Sequence, residues 1–126
     1  MTENKKTVAH YMDGFNKFDH EQILSCLTDD VVWDMPGQYH WEGKVAFTKE
    51  ITNEMFVGKP IVTTTRMTEE NDVVIAEGTA QAMRKEGGMM YVMFSDVFEM
   101  RGGKIKRLIS YIMEVKSFDV HKWGEK

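Results

Sequence analysis

The chain has 126 residues, 42% hydrophobic and 29% charged, which suits one core and a single domain over 1–126. Its net charge of −4 and scattered lysines give no basic footprint, so neither nucleic acid nor an acidic membrane surface is an expected partner. Cys26 is the one cysteine, residues 1–6 hold no apolar run like a signal peptide's, and no segment is long enough to span a bilayer. A cytoplasmic protein without an intrachain disulfide is therefore expected.

The first segment has helical periodicity, with Val8, Tyr11, Met12, Phe15 and Phe18 on one stripe. Asp19 followed by Gln22 predicts a capping box that opens a second, shorter helix carrying Ile23, Leu24 and Leu27. Cys26 then lies beside Leu27 as a buried, inert thiol. A short strand is expected over 30–35, stopped by Pro36-Gly37, followed by a loop with Tyr39, His40 and Trp41. A third helix begins near Gly43, with Phe47, Ile51 and Met55 four residues apart.

From Lys59 onward the pattern is that of strands: 61–68, 73–84, 89–100 and 105–115, separated by tight turns at Asn71-Asp72, Gly87-Gly88 and 101–103. Residues 116–126 read as a frayed tail, with Trp123 a possible anchor. Three helices can cover one face of such a meander, so the class is α+β, with a strongly curved, mostly antiparallel sheet wrapped around three N-terminal helices. Met89, Tyr91, Met93 and Val97 are apolar on the face opposite Asp96. Both faces of that strand therefore look buried, and a homodimer packed through the outer face of the sheet would explain it.

Two residues carry the functional signal. Asp96 interrupts an apolar strand, flanked on its own face by Phe94 and Phe98, and an acid there must be paired, protonated or at a cavity. Tyr11 lies on the apolar stripe of the first helix. Its hydroxyl needs a partner, and Asp96 is a candidate for that role alone. Together the two can also donate hydrogen bonds to one oxygen of a ligand. Phe15, Trp33, Met35, Phe94 and Phe98 are the candidate walls of an apolar pocket. Asp34 and His40 are the candidate bases, although strand alternation places Asp34 on the face away from Trp33 and Met35. The abundance of methionine, eleven against three leucines, fits either an adaptable cavity or ordinary variation in core composition. The spacing of histidines, carboxylates and glycines offers no metal site, no phosphate loop and no cofactor motif.

The order of elements, with Tyr11 through Asn16, the stretch Trp33-Asp34-Met35-Pro36-Gly37, Asp96-Val97-Phe98-Glu99-Met100 and Gly103-Lys104-Ile105, resembles the nuclear transport factor 2-like superfamily. That group includes ketosteroid isomerase and the SnoaL-like polyketide cyclases, and the likeness runs over roughly residues 5–115. The resemblance implies a cone-shaped fold. It matches Tyr11 and Asp96 to the oxyanion donors of the isomerase and puts Met35 where the isomerase keeps its general base. Two readings follow from it. One is a pocket for a small apolar molecule with a carbonyl or phenol oxygen, with enolate chemistry at that oxygen. The other is a non-catalytic binding or dimeric interaction protein on the same fold.

Overall fold

The structure, a computed structural model, describes residues 1–51 and 56–124. Helix α1 (Glu3–Lys17) is capped by Thr2, whose hydroxyl accepts from the Lys5 amide at 3.2 Å. Glu3 and Lys17 sit at the ends that suit their charges. The stripe of α1 buries Val8, Tyr11 and Met12, but Phe18 departs from the expected pattern. It ends the helix in a left-handed conformation with φ 54, and its ring lies 42% exposed with an edge against His20. Helix α2 (His20–Ser25) is capped by Asp19, which accepts from the Gln22 amide at 3.1 Å. The Gln22 side chain turns instead to the His10 carbonyl and Asp13, so half of the capping box forms. The helix stops before Leu27: Cys26 is its C-cap, and Leu27 opens strand β1 (Leu27–Met35).

The loop expected around His40 is a strand, β2 (Tyr39–Glu42). The Gln38 amide bonds the Met35 carbonyl at 2.9 Å across Pro36-Gly37 and folds the chain straight back, pairing Met35 with Tyr39 and Trp33 with Trp41. Helix α3 (Gly43–Ile51) then buries Phe47 and Ile51, while Met55 lies outside the described residues. Four long strands follow: β3 (Phe56–Glu70), β4 (Val73–Arg84), β5 (Met89–Arg101) and β6 (Lys104–Val115). The sheet order is β2-β1-β6-β5-β4-β3, antiparallel throughout except for β1 beside β6, and the class is α+β as expected.

Two devices seat α1 on the sheet. Asn16 donates to the Val62 carbonyl at 2.8 Å and accepts from the Val62 amide at 2.6 Å, so a helix side chain completes the free edge of β3. Gly78 faces β3 so closely that a Cβ there would meet the Thr63 carbonyl oxygen at 2.0 Å, next to a break in register between Thr64 and Arg66. Glycine and bulge together let the sheet bend toward the helix.

The opposite face of the sheet is apolar at its centre. Thr79, Met93 and Met113 form one cross-strand row, and Ile75, Val97 and Ile109 another. Met113 is 67% exposed and Tyr111 52%. Ion pairs border this patch, Arg66 with Glu77 and Arg107 with Glu99. Past β6, Val120–Lys122 form one 3-10 turn held by Trp123, whose Nε1 donates to the Ser117 carbonyl at 3.0 Å.

Candidate functional site

Between α1 and the concave face of the sheet lies a cavity of about 160 Å³. Its closed end is built from Tyr11, Trp33, Leu108 and Ser110, all buried, with Asp96 beside them. Its mouth is apolar: Phe15, Val62, Ala80 and Phe94 are half-buried there, and Ile112 is 44% exposed. Tyr11 is held by ring edges from three sides, with centroids 5.1 Å from Phe15, 6.2 Å from Phe47 and 5.4 Å from Phe98. Trp33 stacks on Phe47 at 4.6 Å.

The polar groups at the closed end are few and connected. Trp33 Nε1 donates to Ser110 Oγ at 3.0 Å. Ser110 faces Asp96 directly across the β5–β6 ladder and hydrogen-bonds its side chain. Asp96 Oδ1 is buried and has no hydrogen-bond partner among the described residues. Burial pushes the Asp96 carboxyl up to about 7, with the Ser110 bond opposing the rise. Burial also holds the Tyr11 phenol well above its usual value, and the charges of Asp96 and then Cys26 add to that. Tyr11 therefore stays a hydrogen-bond donor at any physiological pH, while Asp96 exchanges its proton near neutrality.

The structure brings some of the expected residues together and separates others. Tyr11, Phe15, Trp33, Phe94 and Asp96 all line the cavity. Phe98 does not: it is fully buried behind the Tyr11 ring. Met35 packs at the edge of the core and borders an outer depression instead. The two candidate bases also lie outside the cavity. The pairing of β1 with β2 runs unbroken from Val32 to Met35, so Asp34 keeps the outward face that alternation predicts, paired with Arg107 at 3.0 Å and with His40. His40 reaches Asp34 through Nδ1 and Glu42 through Nε2, so both ring nitrogens are engaged. The Glu42 and Asp34 bonds raise the His40 pKa, and the His40 bond followed by the Arg107 bond holds Asp34 below the usual carboxylate range despite some desolvation. Cys26 is buried and burial pushes its thiol up, away from the reactive thiolate. Among the described residues no three histidine, cysteine or carboxylate side chains gather as metal ligands, and no helix is long and apolar enough to cross a membrane.

Ser110 is a cavity residue that the sequence pattern did not single out, with Leu108 and Ile112 beside it on the cavity face of β6. The alternation of 108, 110 and 112 was a usable signal for the strand face.

The family profile described as a SnoaL-like domain matches residues 8–108. A search among curated proteins returned no match. Solved structures share the fold at low identity. TerC co-crystallised with polyporic acid superposes with a TM-score of 0.79 at 23% identity, over 89% of this chain and 92% of that one. A putative polyketide cyclase from Xanthomonas campestris pv. campestris gives 0.79 at 20% identity, over 86% and 89%. An LEH-like epoxide hydrolase from M. tuberculosis gives 0.78 at 18% identity, over 88% and 83%.

Proposed function

Because the chain belongs to the SnoaL-like domain family, we propose that its cavity binds a small, largely apolar molecule through a carbonyl or phenol oxygen held by Tyr11 and Asp96. One observation carries this reading: the buried, unpartnered Oδ1 of Asp96 next to the Tyr11 side chain in an otherwise apolar cavity. A buried carboxyl oxygen without a partner is costly, and a ligand oxygen would satisfy it. The size supports a compact ligand, since an apolar cavity of roughly 150 Å³ accommodates a single aromatic ring.

The same geometry limits the chemistry. Asp34 and His40 are turned outward, so no second acid and no imidazole is among the described lining residues. If enolate chemistry takes place, Asp96 itself must carry the proton while Tyr11 stabilises charge on the oxygen. The absence of a second base in the described lining also favours the alternative, a non-catalytic binding protein. The outer apolar patch fits a second copy of the chain, its centre apolar and its edge lined with ion pairs.

The test uses a nitrophenol, whose absorbance reports ionisation, and a cyclic enone in heavy water. Binding of the nitrophenol to wild type, weakened at least about tenfold in Tyr11→Phe and in Asp96→Asn, is the expected result. Unchanged binding in both variants would refute the site. Deuterium uptake beside the enone carbonyl that disappears in Asp96→Asn identifies an enzyme, and binding without uptake identifies a binding protein.

A further inference from the structure

Three side chains on adjacent strands form a directed line: Trp33 on β1, Ser110 on β6 and Asp96 on β5. An indole N–H can only donate, so Ser110 Oγ must accept from Trp33 at 3.0 Å. A serine hydroxyl has one hydrogen of its own to give. Ser110 is 2% exposed, and Asp96 stands directly opposite.

We propose that Ser110 is a positioning residue for the cavity acid: committed as an acceptor to Trp33, it donates into Asp96 and so presents the other carboxyl oxygen, Oδ1, to the ligand. This rests on the reading of the cavity given above. A carboxyl that accepts from Ser110 on one oxygen carries its acidic proton on the other. When protonated, Asp96 offers an O–H to a carbonyl oxygen. When ionised, it offers a lone pair to a phenol hydroxyl. Ser110, by favouring the ionised form, sets the pH at which the site changes from preferring carbonyls to preferring phenols. The neighbours leave that pH to this line of residues. α1 contributes Tyr11, Cys26 follows α2, and β4 and β6 place Ala76 and Ser110 opposite Asp96. No lysine, arginine or histidine is among the described lining residues.

The experiment follows the carboxyl carbon of Asp96 by NMR across pH in ligand-free protein, with the signal assigned by its loss in Asp96→Asn. In Ser110→Ala the titration midpoint is expected to rise by about one unit. Ser110→Thr, which keeps the hydroxyl, should titrate near wild type. Trp33→Phe, which keeps a ring on Phe47 but frees Ser110 to turn, should produce a smaller rise. An unmoved midpoint in Ser110→Ala overturns the proposal, as does a Thr variant that shifts as far as Ala. Nitrophenol and cyclic-enone affinities measured over the same pH range separate the two claims. The crossover between them should move upward with the midpoint in Ser110→Ala. A shifted midpoint with no binding of either probe removes the binding reading and leaves the positioning role, whereas normal binding with an unmoved midpoint does the reverse.

Discussion

Asp96 couples the cavity to the stability of the whole chain. Its carboxyl titrates near 7 when folded, against 3.8 for a free side chain. Between those values the folded state holds a proton that the unfolded chain has released, so the contribution of Asp96 to stability is greatest below about pH 4, falls as pH rises, and levels off above 7. Asp96→Asn removes the titrating group. The variant should match or trail wild type at pH 4 and gain on it steadily, by up to ~4 kcal/mol above pH 7, in denaturant unfolding measured across pH. A difference independent of pH would mean that the carboxyl is not desolvated. Both Asp96 and Tyr11 were legible in the sequence because each is an anomaly, a polar group where the pattern demands an apolar one. Ser110 was not, and the reason is a single residue. The hairpin pairs Arg101 with Lys104 and Met100 with Ile105, which extrapolates to Asp96 opposite Ile109. A shift in register between Met100 and Glu99 would be needed to change that, and it occurs: Glu99 pairs with Arg107, and Ser110 arrives opposite the acid.

At the scale of elements, the strands and helices with strong periodicity appeared where the sequence placed them, and the short pieces did not. β2 is four residues between a turn and a helix, too few for alternation to register, and its pairing with β1 is a tertiary fact. That pairing is also what ties His40 to Asp34 outside the lining of the cavity. The bend of the sheet is equally non-local. Nothing near Gly78 in the sequence says that the Thr63 carbonyl will lie against it. Gly78→Ala should therefore cost about 2–3 kcal/mol, an overpacking penalty, although alanine is ordinarily accepted in strands. Thermal unfolding checks this, and a loss under about 0.5 kcal/mol would show that β3 can step aside at no cost.

For the molecule as a whole, the outer face of the sheet is the exposed apolar surface. Met93, Tyr111 and Met113 form an apolar centre too exposed to belong to the protomer's own core. If two copies meet there, Met113→Glu places a charge in the middle of the contact. Sedimentation equilibrium should then give the mass of one chain where wild type gives two, with the dissociation constant raised about 30-fold or more. Because Met113 is 67% exposed within one protomer, the variant should otherwise stay folded. A wild type that sediments as a single chain at high concentration would refute the dimer.

The cavity is polar at its closed end and greasy at its mouth, and this imposes an order of entry. A guest must go in head first, shedding water from its oxygen before any hydrogen bond replaces it. Whatever trails behind that oxygen remains among Phe15, Phe94 and Ile112 or projects past them into solvent. On the proposed binding mode, selection would act on the leading atoms of the guest and be lenient toward its tail, so a series of related compounds with one shared head would be accepted alike.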